Sequence, residues 1–241
     1  MLGKTVPEPN SDGRIFVCSA GVSAELKTLM RIYPLARRDA PERWSVNRVQ
    51  TERNPRDNRV ESWKLAGDRS VGMHERINLT FHRVGEVKEK DRATLLGKYV
   101  VPSIKIANAR RMSLAVIHPL STPHLRFDFN PSPSDVPRLA LFDDEIIKRE
   151  PTPDRRFPYM PRLEFWDQDG EHKLMLRDWG CFEFLRKYPE RRDQLSDALH
   201  LGPRSSLMVG NMNNQRNAWL IISVLQGLRD QQMTMFDEEA I

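Results

Sequence analysis

Residues Ser205–Leu228 read SSLMVGNMNNQRNAWLIISVLQGL, and this stretch decides the fold. Apolar runs at Leu207–Val209 and Ala218–Leu225 flank a polar block, Asn211–Asn217. Asparagine tolerates positive φ and bonds its own backbone, so the pattern predicts a hairpin with an amide-rich tip. The second run, Trp219 to Leu225, is apolar at both alternating sets of positions. A strand of that kind is buried on both faces, which places it at the centre of a sheet.

Working outward, other short strands separated by turn residues come into view. Arg14–Ala20 ends at Gly21, and Leu29–Tyr33 is stopped by Pro34. Trp44–Gln50 and Leu125–Phe129 alternate, while Met112–His118 runs into Pro119. Leu163–Trp166 and Lys173–Arg177 form a hairpin across Asp169-Gly170. Helical signals are few. Lys88–Lys98 reads as a short helix. Asp178 is placed to cap a helix from Trp179 to Tyr188, and Pro189 opens another that buries Leu195, Ala198 and Leu199. The expectation is a mainly β or α+β protein: two small OB-like β-barrel subdomains with a short helical hairpin. They would span residues 1–130, strongly basic, and 138–229, with a flexible tail at 230–241. The proline-rich run Pro131–Pro137 would separate them.

Composition narrows the function classes. With 241 residues the chain can bury a sizeable core. It contains no apolar run of membrane-spanning length and no hydrophobic leader segment, so a cytoplasmic protein without membrane partners is expected. Its two cysteines, Cys18 and Cys181, are too few for a disulfide framework or a zinc site. Charge is uneven. Residues 1–120 carry 22 Lys+Arg against 13 Asp+Glu, and residues 121–241 carry 16 against 20. With 28 arginines against 10 lysines, the basic half is suited to planar contacts with phosphate or guanine.

Within that half Arg31, Tyr33, Arg37, Arg38, Arg43, Trp44, Arg48, Arg53 and Trp63 interleave cations with aromatic rings. Arginines tracking phosphates beside rings that stack on bases is how small β domains bind nucleic acid. The tip residues Asn213, Asn214 and Arg216 add amides and a cation able to read base edges. A nucleic-acid-binding accessory protein, for DNA more than RNA, is therefore expected, with no catalytic residue, metal or cofactor. Two other classes fit parts of the chain. Asp167, Asp169, Glu171 and Lys173 have the residue types of a metal-dependent nuclease, and the basic half would suit an adaptor for an acidic protein partner.

Several short motifs resemble a family of prokaryotic proteins that carries no assigned activity. Lys4-Thr5 with Pro7 and Pro9 matches its opening, Cys18–Val22 its CTAGI strand, and Arg31–Leu35 its RIYPV strand. Asp57–Trp63 matches a D-x-R-x-E-S-Y stretch and Ser113–Pro119 an SLGxIxP strand. Gly170–Gly180 matches a GH…LDWE segment and Met208–Asn211 an FVGN hairpin. Asp167-Gln168-Asp169 and Gly180 depart from the cysteines and the acid that such proteins carry there. The resemblance implies a shared fold outline and lends no activity.

The tail supplies one more resemblance. Gln232-Met233-Thr234-Met235-Phe236 is similar to the pentapeptide with which bacterial proteins engage the sliding clamp. Met233, Met235 and Phe236 would enter an apolar groove while Gln232 bonds at its rim.

Overall fold

The computed structural model describes residues 1–9, 15–35, 40–66, 81–129, 159–213 and 215–226. Its strands are β1 (Gly3–Lys4), β2 (Glu8–Pro9), β3 (Ile15–Ser23), β4 (Thr28–Leu35), β5 (Ser45–Arg48), β6 (Thr51–Arg53), β7 (Ser62–Leu65) and β8 (His82–Glu86). After helix α1 (Glu89–Gly97) come β9 (Val100–Val101), α2 (Ile104–Ala109), β10 (Leu114–Ile117), β11 (His124–Phe129), β12 (Tyr159–Asp167) and β13 (Gly170–Met175). Helix α3 (Trp179–Lys187), a 3-10 turn (Pro189–Gln194) and α4 (Leu195–Ala198) precede the hairpin β14 (Ser206–Asn211) and β15 (Trp219–Leu225).

The hairpin expected within 205–228 forms, but β14 rather than β15 is its interior strand. Sheet order β15-β14-β10-β9 forms a central layer, and every residue of β14 and β10 is buried. Alternation sorts the side chains cleanly. Leu114, Val116, Met208 and Ile222 face the N-terminal layer with Leu2, Leu29 and Trp44. Ala115, Ile117, Val209 and Ile221 face Leu163, Phe165, Cys181 and Leu185 on the other side. A register shift between Met208 and Val209 brings Ile222 and Ser223 both toward Gly3, where the chain has no side chain to clash with them. By strand order β15 is an end strand, but its outer edge is met by Leu176, and Arg177 N–H donates to the Ile221 carbonyl at 2.7 Å.

The N-terminal layer has the order β1-β3-β4-β7-β6, with β2 also on β3. β4 runs on through Pro34, which falls where the β3–β4 register shifts and its missing N–H leaves no ladder bond unmade. On the far side the order β11-β12-β13 forms a three-stranded sheet that packs with α3. All four sheet orders are open, so the protein is mainly β with few helices but forms no closed barrel among the described residues. The central sheet takes β9 and β10 from the first half of the chain and β14 and β15 from the second. Strands from residues 1–130 and 138–229 therefore share one sheet.

The helix at 89–97 matches expectation, as does the cap by Asp178, whose Oδ1 accepts from Gly180 N–H at 2.8 Å. The hairpin expected across Asp169-Gly170 turns one residue earlier, at Gln168-Asp169, with Gly170 already in β13. Helix α2 and the short strands β6 to β9 lack a periodic signal long enough to read. Of the stripe expected after Pro189, Leu195 alone is buried and Ala198 is exposed, because the tighter 3-10 turn shifts which residues share a face. No helix among the described residues is long and apolar enough to cross a membrane.

Candidate nucleic-acid interface

β4 and β7 pair in parallel, with Arg31 opposite Ser62 and Ile32 opposite Trp63. This register separates two environments. Arg31 and Ser62 point inward to the central sheet, and Ile32 and Trp63 point to the outer face.

The inward face carries a buried polar network. Asp57 and Arg59 stand two residues apart across a turn, and Arg59 Nη2 lies 2.5 Å from Asp57 Oδ2. Ser62 Oγ donates to the same oxygen at 2.6 Å. Arg59 Nη1 donates to the Asn211 carbonyl at 2.5 Å, and Arg31 Nη2 donates to the Ser113 carbonyl at 3.0 Å. Glu61 accepts from Ser113 Oγ at 2.7 Å and from Ser113 N–H at 3.0 Å. Burial pulls the Asp57 carboxyl upward, but bonds from Arg59 and Ser62 outweigh it and hold the group at about 2. Burial lowers the Arg31 guanidinium. The RIYP, D-x-R-x-E-S, SLxxIxP and VGN motifs thus meet at one junction between layers.

The junction fixes the β14–β15 tip. Asn211 Nδ2 donates to the Arg216 carbonyl at 3.0 Å, which closes the tip on itself. Arg216 Nη2 reaches Asn58 Oδ1 at 2.8 Å, and Asn213 Nδ2 reaches the Arg56 carbonyl at 3.4 Å. Two segments that sequence reasoning nominated separately, the basic segment and the amide-rich tip, therefore touch.

The outer face holds a cleft of about 810 Å³ between the N-terminal sheet and the β5–β8 ribbon. Its apolar lining includes Met30, Ile32, Val49 and Leu95, with three aromatic residues, Trp63, Phe81 and Tyr99. Lys27, Arg48 and Lys98 supply cations, against Glu25 as the one acid among the described lining residues. Lys27 is carried in by the turn after β3, where its φ of 51° bends the chain back. The Arg53 guanidinium stacks over Trp63 at 5.0 Å from the ring centre and also donates to the Val60 carbonyl.

The residues expected to bind nucleic acid divide by this geometry. Arg48 lines the cleft, Arg53 adjoins it, and Asn213 and Arg216 lie on the exposed tip. Arg31 does not belong to a surface: it is 3 % exposed and committed to Ser113 and Asn211. Trp44 is core, with Arg92 stacked over it at 4.6 Å, because its φ of 66° turns the ring inward from the start of β5. Tyr33 is half-buried edge-on to Phe16, at 6.4 Å between ring centres. Arg43 is tied to Asp178 Oδ2 at 2.6 Å. Arg37, Arg38, Asn214 and the tail residues Gln232, Met233, Met235 and Phe236 lie outside the described residues.

Lys27, Phe81, Lys98 and Tyr99 escaped sequence reasoning because they come from separate turns and strand ends. The Asp57-x-Arg59 spacing was a usable signal for the network, since a side chain two residues away across a turn is within ion-pair reach. The acidic hairpin has other partners. Asp167 accepts from Ile104 N–H at 2.9 Å and lies 2.8 Å from His172 Nε2, and Asp169 accepts from Ser103 Oγ, so both hold the start of α2. Lys173 pairs with Glu164 at 3.2 Å.

Residues 1–96 match the family model described as a domain of unknown function (DUF8758). That span supplies every described lining residue of the cleft except Lys98 and Tyr99, whereas Ser113 and Asn211 of the buried junction lie beyond it. Neither a curated protein nor a solved structure matches the chain.

Proposed function

We propose that this protein binds nucleic acid, DNA above RNA, as a non-catalytic accessory factor in replication, repair, mobile-element or defence processes. The observation that carries the reading is the outer cleft, where Trp63, Phe81 and Tyr99 sit among Lys27, Arg48 and Lys98. Aromatic faces stack on any base, and cations at the rim neutralise the backbone that leads to it. The cation excess of residues 1–120 supports the same partner class. Recruitment by the sliding clamp is part of the proposal and rests on Gln232–Phe236.

Equilibrium binding of a fluorescent thymidine dodecamer at several salt concentrations tests the reading. Binding should weaken steeply with salt, and Trp63→Ala should weaken it about tenfold at fixed salt, the worth of one lost stacking contact. A wild-type protein with no salt-dependent binding to DNA or RNA would overturn it.

A further inference from the structure

We propose that the partner is a single strand. A base occupies the cleft while the phosphates continue across a second site, built jointly by the β14–β15 tip, the 54–60 turn and the end of α2. The inference rests on the nucleic-acid reading and adds strandedness and a second set of residues.

Three observations support the path. The tip and the turn are fixed to each other by Arg59 on the Asn211 carbonyl and by Arg216 on Asn58, so their relative position survives without a ligand. The α2 end joins them, because Asn211 N–H donates to the Ser113 carbonyl and Asn211 Nδ2 to the Met112 carbonyl. This assembles exposed Arg56, Arg110, Arg111 and Arg216 around one junction. Of the nearby acids, Asp57 is buried and paired with Arg59 and half-buried Glu61 is turned toward Ser113, so the four exposed side chains named here are all cations.

Continuity with the cleft comes from Arg53. It stacks on Trp63 on one side and donates to the Val60 and Arg59 carbonyls on the other, so the cleft and the tip site share a boundary residue. Strandedness follows from the recess. Trp63 and Phe81 line a cavity of about 810 Å³, and a paired, stacked base reaches such a ring only after flipping, whereas an unpaired base reaches it directly.

The test is calorimetric titration with thymidine oligomers of four, eight and twelve nucleotides and with a duplex dodecamer. Titrations use the wild type, the triple variant Arg56→Ala/Arg110→Ala/Arg216→Ala and Trp63→Ala, with folding checked by circular dichroism. In the wild type, affinity should rise with length and the duplex should bind at least tenfold more weakly than the single strand. The triple variant should lose most of that length dependence. Its salt slope should fall by about 0.7 per phosphate contact removed, while it binds the tetramer within about twofold of wild type. Trp63→Ala should weaken every length. Unchanged slope and length dependence in the folded triple variant would overturn the second site, and equal duplex affinity would overturn the single strand. A wild type that binds no oligomer would overturn the nucleic-acid reading itself and this inference with it. Should the triple variant unfold, Arg56→Ala/Arg110→Ala, which leaves the Arg216–Asn58 contact in place, is read by the same criteria.

Discussion

Arg59 Nη1 donates to the carbonyl of Asn211 at 2.5 Å, joining a turn of the N-terminal layer to the end of a central strand 152 residues later. The same guanidinium holds Asp57 through Nε at 2.9 Å and Nη2 at 2.5 Å. Both side chains are buried, so the pair is a fixed joint between layers, and the hairpin tip is positioned by it.

Removing Arg59 leaves a buried carboxylate and a buried carbonyl without that donor. Arg59→Ala should lower the unfolding free energy by about 3–5 kcal/mol, the usual effect of breaking a buried pair from one side. Arg53→Ala, at an exposed cation–π contact, should cost about 1 kcal/mol or less. Urea unfolding of the two variants gives the comparison, and similar midpoints would contradict it.

Acid stability should report Asp57. Its folded value of about 2 lies below the ordinary 3.8, so its contribution is fully present above about pH 4 and is lost as pH falls toward 2. The contribution is on the order of 2 kcal/mol. Asp57→Asn should flatten the stability profile between pH 4 and pH 2 relative to wild type. Parallel profiles would show that Asp57 titrates normally.

Asp178 divides its oxygens between two elements: Oδ1 caps α3 and Oδ2 takes Arg43. Asp178→Ala should cost about 1–2 kcal/mol for the cap alone. Arg43→Ala should cost less than about 1 kcal/mol, because Asp178 keeps its bonds to the helix and the Arg43 side chain is 40 % exposed. Thermal melts of both variants separate the cap from the ion pair, and equal losses would contradict that division.

Gly210 lies where a methyl group would meet the Arg31 guanidinium at 2.9 Å and Ile222 Cδ1 at 2.7 Å. Gly210→Ala should therefore destabilise by about 1–3 kcal/mol through overpacking, and it should disturb the tip. An unaltered melting temperature would show that the junction has room to relax.

The strands with long apolar or alternating runs were legible because burial repeats along them: β10, β12 and the β14–β15 hairpin. Trp219–Leu225 declare a strand buried on both faces, and β15 is one, although β14 and β10, not β15, hold the interior places of the central sheet. That the described sheets stay open instead of closing into the expected barrels was not legible, because strand order depends on pairings such as β4 with β7 that no local pattern encodes. The candidate site was half legible. Arg48, Arg53 and Trp63 were visible as cations beside rings, but composition cannot tell an exposed arginine from Arg31, which the β4–β7 register turns inward. Trp44 looked like a stacking ring and is core, because a positive φ sets its direction.

Photocrosslinking with a bromouracil-substituted single strand, followed by peptide mapping, tests nucleic-acid binding most directly. Crosslinks should fall on peptides carrying Trp63, Phe81 or Tyr99, with weaker ones on the 211–217 tip, and should fade as salt rises. Crosslinks confined to the β11–β13 sheet and α3, or none at any salt concentration, would contradict it.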